Sequence, residues 1–405
     1  LGDALLSLGK IGRLLAQLTR PDDVVWVWLI YMLMGAGLVL TFGRLGDALG
    51  RRRVYLVGMA LFTVGLTLSS VATSLTQLVG VRALQATGMA MAVAMSNAIV
   101  TASFPAEERG RALGIMGTVV SIGLLTGPAT GGALLDWMGW RAVFYARIPF
   151  GLLAVALALL LRNEPPERKH RAFDLAGSGT LFAGLASVLI AINRGQSSGW
   201  TSPFVIGAMM LGVLLLTAFV RIERRASDPV LDLSLFKTRS FSSTNAAHTL
   251  FYVSALSLRF VLPYLVLQAL GISATISGLV VASIEAVRAL VSPLSGHLSD
   301  RVGTWVLATI GTAMVALGTL LMLLTVTAET GISYLILLLS VIGLGAGFFV
   351  APNTSRIMGS VLKPQLGTAS AMVATTRQIG GALGLAVGGT AYTYAYVTAR
   401  TAISE

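Results

Sequence analysis

Apolar runs of about 18 residues or more recur from one end of the chain to the other, and each is long enough to cross a hydrocarbon core as a helix. Twelve complete spans are read, at 24–42, 54–75, 78–102, 112–135, 140–161, 175–192, 203–220, 245–268, 275–296, 305–325, 332–358 and 369–396. So many runs exclude a one-pass anchor or a signal peptide. The pattern predicts an all-α polytopic membrane protein. Residues 1–18 read as the latter part of a preceding helix and no Met begins the chain, so the first and last helices are expected to be incomplete or missing.

The polar stretches between the spans sharpen this. Arg51, Arg52 and Arg53, then Arg109 and Arg111, then Arg162, Arg168, Lys169 and Arg171, then Arg221, Arg224 and Arg225 occupy every second loop. Alternation of basic and charge-poor loops assigns the basic set to the cytoplasm, most simply of a bacterial inner membrane, with both chain ends outside. Composition agrees: of 405 residues 55% are hydrophobic and 11% charged, and the mean hydropathy is +0.82. The net charge of +12 lies in these loops rather than on one amphipathic face, which argues against a nucleic-acid partner. With no cysteine, disulfides, thiolate metal sites and thiol nucleophiles are excluded.

The chain repeats itself. Gly43, Leu45, Asp47 and Gly50 return 253 residues later as Gly296, Leu298, Asp300 and Gly303. Gly123, Gly127 and Gly131 are echoed 257 residues later by Gly380, Gly384 and Gly388. Two halves in the same orientation are a recurrent transporter architecture, with substrate held at the midplane between them. Eight spans separate the equivalent loops, so two six-helix bundles, 1–165 and 235–405, are expected to flank two extra helices within 172–225.

The stretch Gly43-Arg-Leu-Gly-Asp-Ala-Leu-Gly-Arg-Arg-Arg53 is expected to form a tight loop in which Asp47 pairs with a neighbouring Arg or with a helix N-terminus. A pairing present in one conformation only would bias a two-state machine, so Gly43, Arg44, Asp47, Gly50, Arg51 and Arg52, with Gly296, Asp300, Arg301 and Gly303, are candidate switch residues. This stretch resembles the cytoplasmic signature of the major facilitator superfamily, and Gly296-His-Leu-Ser-Asp-Arg-Val-Gly303 resembles its degenerate second copy. Arg82-Ala-Leu-Gln-Ala-Thr-Gly88 resembles the superfamily's fourth-helix motif, which implies proton transfer for Arg82 with Gln85. The other reading of Arg82 is a side chain reaching back to the outer interface. Gly123-Leu-Leu-Thr-Gly-Pro-Ala-Thr-Gly-Gly132 resembles the fifth-helix signature of superfamily antiporters. Its four-spaced glycines suit close helix packing, and Pro128 is expected to kink the outer half. Gly127, Pro128, Gly131 and Gly132 carry that resemblance; the echo at Gly380 lacks the proline.

Further stretches are similar to the fourteen-helix drug:proton antiporter branch: Trp140-Arg141 with Phe144, Pro149 and Gly151, Thr376-Arg-Gln-Ile-Gly-Gly-Ala-Leu-Gly384, and Asp228-Pro229. The resemblance covers essentially the whole chain. It implies a first-helix acid that lies mostly upstream of residue 1, with Asp3 as a stand-in. Gly9 replaces an expected proline, and Arg147 stands where relatives carry an uncharged polar residue.

Glu285 and Arg288 lie three apart on one helix face and can pair inside the membrane, so Glu285 with Arg288 is a candidate proton-coupling or substrate-cation site or, equally, a structural ion pair; Arg259 lies near mid-span in the preceding helix. His248 titrates near neutral pH in water, but a lone histidine in a helix is more often a packing or surface residue. Tyr31, Phe144, Tyr145, Phe251 and Tyr252, with Trp28 and Tyr264, and the guanidiniums of Arg147, Arg259 and Arg377, are candidates for the lining of a substrate cavity. Together these readings imply a proton-driven antiporter exporting small hydrophobic, amphipathic or cationic compounds. It would need no cofactor beyond the proton gradient, and its partners would be lipid, protons and substrate, with the protein working as a monomer. A symporter or importer of an anionic solute and a non-transporting receptor or scaffold remain as alternatives. An enzyme is disfavoured, because Gly195-Gln-Ser-Ser-Gly199 matches a hydrolase elbow without the strand that the elbow needs.

Overall fold

A computed structural model describes residues 21–161, 174–226, 229–266, 274–327 and 329–404; Asp3 and Asp228 lie outside the described residues. All twelve expected spans are helical over most of their described length. They comprise α1 Pro21–Leu49, α2 Arg51–Val71, α3 Leu75–Ser103, α4 Arg109–Met138, the broken pair α5 Trp140–Tyr145 and α6 Ile148–Leu159, α7 Leu175–Ser198, α8 Pro203–Glu223, α9 Arg239–Tyr264, α10 Ala274–Val302, α11 Thr304–Thr325, α12 Ile332–Gly359 and α13 Leu366–Ser404. Ten stretches among the described residues are long and apolar enough to cross a membrane. Large apolar side chains such as Phe150, Leu214 and Leu323 stand exposed on the outside, as a lipid-facing surface requires.

Two of the expected boundaries are corrected. The first half of the switch sequence is not loop: Gly43 to Leu49 form the last turns of α1, and Gly296 to Val302 the last turns of α10. Only Gly50 and Gly303 leave the helices, with φ of 101° and 103°, a left-handed backbone that a side chain would strain. One residue therefore makes each turn. The expected span 140–161 breaks at Ala146 and Arg147, because Pro149 in the first turn of α6 cannot donate to a carbonyl of the preceding turn.

The repeat is visible in the packing. In the first half α3 is packed by α1 and α2; in the second, α12 is packed by α10 and α11. Glycines set both contacts: a Cβ on Gly58 would lie 2.8 Å from the Gly88 carbonyl, and one on Gly311 2.6 Å from the Gly345 carbonyl. These pairs keep the offsets of 253 and 257. The extra helices α7 and α8 form a hairpin whose first member lies against α1. The halves meet along two seams, α4 on α10 and α13 on α1, which the pseudo-symmetry exchanges.

Candidate functional site

The basic side of the molecule is closed by two matched contacts. A helix begins with N–H groups that have no partner within it, and that end carries partial positive charge. Asp47, at the end of α1, accepts the N–H of Gly367 at 2.8 Å and of Thr368 at 2.9 Å in the first turn of α13, and the Thr368 hydroxyl at 3.1 Å. Asp300, at the end of α10, accepts the N–H of Gly110 at 2.9 Å and of Arg111 at 3.0 Å in the first turn of α4. Each half thus caps a helix of the other with a carboxylate. The reach depends on glycine at both faces of each seam, since a Cβ on Gly43 would lie 2.7 Å from the Gly367 carbonyl and one on Gly110 2.5 Å from that of Gly296. Gly110 and Gly367 were missed in the sequence, although they stand 257 apart like the glycine runs.

The arginines of the switch divide their tasks. Arg51 is buried, 3.5 Å from Asp47, and donates to the Lys363 carbonyl just before α13. Arg52 donates to the carbonyls of Ala158 and Leu159 at the C-terminal end of α6, where a cation is favoured. Arg44 lies near Glu223 at the end of α8, whose carboxylate accepts the N–H of Val230 at 3.2 Å and Leu231 at 3.3 Å. The extra hairpin is thereby tied to the switch. Arg301 is exposed at the end of α10.

Replacing Gly296 with leucine should hold α4 and α10 apart at the basic side and reduce transport at least about tenfold, with little loss of folded protein. Gly207→Leu, on a face of α8 with nothing within 4 Å, should leave both unchanged. Flux and yield of the two variants, measured side by side, check this.

Deeper in the helices lies the charged group. Arg259 on α9 reaches one oxygen of Glu285 at 3.0 Å, and Arg288 lies 2.8 Å from the other, close in Coulomb terms though poorly aligned for a hydrogen bond. The Arg288 Nε donates to the hydroxyl of Ser121 on α4 at 2.8 Å, carrying the chain across to the other half. Ser121, fully buried, was not singled out from sequence. A carboxylate between two guanidiniums lowers the cost of burying all three.

Arg82 does not reach back to the outer interface. Its Nη1 donates to Gln85 at 2.8 Å and its Nε to the Val27 carbonyl at 3.4 Å, and the guanidinium lies 4.3 Å from the centre of the Tyr31 ring and 5.8 Å from that of Phe144. Such stacking suits a partly desolvated guanidinium. Arg147, at the break between α5 and α6, lies near Tyr31 and Arg82. Tyr145 is exposed and joins none of these contacts.

A second aromatic group belongs to the other half. His248 is buried, its Nδ1 2.9 Å from the Thr376 hydroxyl, its ring centre 4.9 Å from that of Tyr252. Phe251 stacks on Phe349 at 4.5 Å. The two glycine runs behave differently. Gly380 and Gly388 approach the Thr249 and Ser257 carbonyls of α9, whereas Gly123, Gly127 and Gly131 have no described atom within 4 Å of a modest side chain. The backbone of α4 stays helical through Pro128 and Gly132. Gly195 to Ser198 end α7, so the elbow-like sequence follows a helix and not a strand.

Comparison with known proteins adds a lineage. The model of the Major Facilitator Superfamily matches residues 11–385. The chain is 34% identical over 368 residues to the multidrug resistance protein Stp of Mycobacterium tuberculosis, covering 90% of this chain and 68% of that one. It is 33% identical to the riboflavin transporter RibZ of Clostridioides difficile, covering 90% and 79%. In three dimensions it is similar to the human organic anion transporter TETRAN, with a TM-score of 0.67 at 17% identity over 95% of this chain and 84% of that one; at that identity the likeness shows the fold alone.

Proposed function

The chain belongs to the major facilitator superfamily and is an integral membrane transporter, and from that premise we propose that it is a proton-coupled antiporter exporting small hydrophobic or amphipathic compounds. The observation that carries this reading is the pair of reciprocal caps, Asp47 on α13 and Asp300 on α4. Both bonds span the seam between halves, so both break if the basic side opens. Rocking of the halves about the midplane would then expose the cavity to one side at a time.

Proton coupling is assigned to the Arg259, Glu285 and Arg288 group, because its carboxylate is held by cations from two helices and bonded through Arg288 to the opposite half. A proton taken up by Glu285 would loosen both guanidiniums and, through Ser121, the seam. Arg82 and Gln85 form the second candidate for the pathway. The antiport direction rests on the resemblance of Gly123 to Gly132 and on relatives named for multidrug resistance. The riboflavin transporter among the relatives keeps the substrate wider than drugs. Energy comes from the ion gradient, without a nucleotide or metal.

The test uses the full-length protein in liposomes made acid inside, with rhodamine 123 or fluorescein outside and a pH dye within. Accumulation of either dye together with alkalinisation of the lumen, beyond that of empty liposomes and abolished by an uncoupler, is the expected result. In a second set of liposomes preloaded with the dye, dye and protons leaving the acid lumen together would overturn antiport in favour of symport. No flux of any kind would leave the receptor reading.

A further inference from the structure

Among the described residues the guanidiniums of the helical interior fall into two classes. Arg82, Arg259 and Arg288 each have a carboxylate, amide, carbonyl or hydroxyl partner. Arg377 on α13 has no hydrogen-bond or ion-pair partner among the described residues, and it is neither fully buried nor fully exposed. It stands 11 residues from Leu366, about 16 Å along the helix from the Asp47 cap that, with the Asp300 cap, forms the inner lock on the basic side, and so near the middle of a hydrocarbon core.

Its direction follows from its neighbours. Thr376 faces His248 on α9, and Gly380, one turn on, lies against Thr249 and Tyr252 of α9. Gln378 faces Gly35 on α1 of the opposite half. At 100° per residue Arg377 falls between these two faces, on the arc that also carries the buried Ser370 and Ala374. It therefore points inward, between α9 and α1 at the meeting of the halves. Beside it the Gln378 carbonyl oxygen is buried without a partner, and the rings of His248 and Tyr252 stand on the α9 side. A charge at this depth costs several kcal/mol unless something answers it. Glu285 is already shared by two other arginines.

We propose that Arg377 is a substrate-binding residue that recognises the negative charge of an aromatic organic anion, a carboxylate, sulfonate or phenolate, with the ligand's rings against Tyr252. The inference rests on the transport reading only for the route by which the ligand enters. It narrows the substrate from amphipathic compounds in general to those that carry an anionic group, and Gln378 accepts a hydroxyl or amide of the same ligand.

Fluorescein and rhodamine 123 share a xanthene body and differ in charge, so they are the probes. Binding to the purified full-length protein in a neutral detergent, without added lipid, is read by quenching of tryptophan fluorescence. The wild type should bind fluorescein at least about tenfold more tightly than rhodamine 123, Arg377→Gln should weaken fluorescein about tenfold or more while sparing rhodamine 123, and Arg377→Lys should recover part of the loss. Preference of the wild type for rhodamine 123, no binding of either dye, or equal losses for both dyes in Arg377→Gln would overturn the proposal. Should Arg377→Gln fail to fold, the wild-type preference and Arg377→Lys still decide. Selective binding that persists without proton-driven flux would sink the antiport reading and leave this one standing.

Discussion

Glu285→Gln is expected to abolish proton-driven accumulation of substrate and to lower the melting temperature of the purified protein by several degrees. The amide leaves Arg259 and Arg288 facing each other inside the membrane domain without their shared counter-charge, and breaking a buried ion pair from one side costs about 3–5 kcal/mol. Loss of stability alone would not separate a coupling site from a structural ion pair. The discriminating variant neutralises all three, Arg259→Met with Glu285→Gln and Arg288→Met. Removing a whole buried ionic group in favour of apolar side chains is often neutral or stabilising. Recovery of the melting temperature without recovery of proton-driven flux supports coupling at Glu285. Recovery of both would reduce the group to a brace between α9, α10 and α4.

The second large effect is expected at the inner lock. Asp47→Asn and Asp300→Asn each replace a carboxylate that accepts two backbone N–H bonds at a helix N-terminus with an amide that can accept with one oxygen only. Hydrogen bonds to a charged group contribute about 1.5–3 kcal/mol, and the helix dipole adds a further fraction. Both substitutions together therefore withdraw about 3–6 kcal/mol from the state closed on the basic side, which takes a two-state population of about 99:1 to near equality at the lower end and inverts it at the upper. Because the chain has no cysteine, two can be introduced for spin labels at exposed positions of opposite halves, as Glu107→Cys and Leu362→Cys. The wild type should give a short distance. The double variant should give a longer one, with each single variant between them. A distribution that both substitutions leave unchanged would mean that the caps do not set the balance between states.

Much of this architecture was legible in the order of residues because the solvent imposes it. A bilayer demands backbone bonds satisfied within each segment and apolar side chains over its length, so all twelve spans appear as runs. The repeat was legible because its markers, Gly43, Asp47 and Gly50 with their counterparts, are residue types that backbone contact and charge require at fixed places. The Glu285 and Arg288 pair was legible from helix periodicity.

The helical course of Gly43 to Leu49 was hidden, because glycine is tolerated in packed membrane helices and only Gly50 needs the left-handed backbone. The acceptor role of Asp47 was visible as a possibility, but its partners, Gly367 and Thr368, are backbone N–H groups and carry no side-chain signature. Ser121 was hidden for a related reason: a serine on an apolar helix looks alike whether it bonds its own backbone or an arginine 167 residues away.

By itself, then, the sequence determined that this chain spans a membrane as two related helical halves with a hairpin between them. It also determined which charges those halves carry, since hydropathy and periodicity are local properties. Tertiary structure alone decided which charges are answered. Only the docking of α13 on α1 and of α4 on α10 gives Asp47 and Asp300 their helix ends, joins Arg288 to Ser121, and leaves Arg377 facing the space between halves without a partner among the described residues, because an electrostatic contact is made by distance in space and not by separation along the chain.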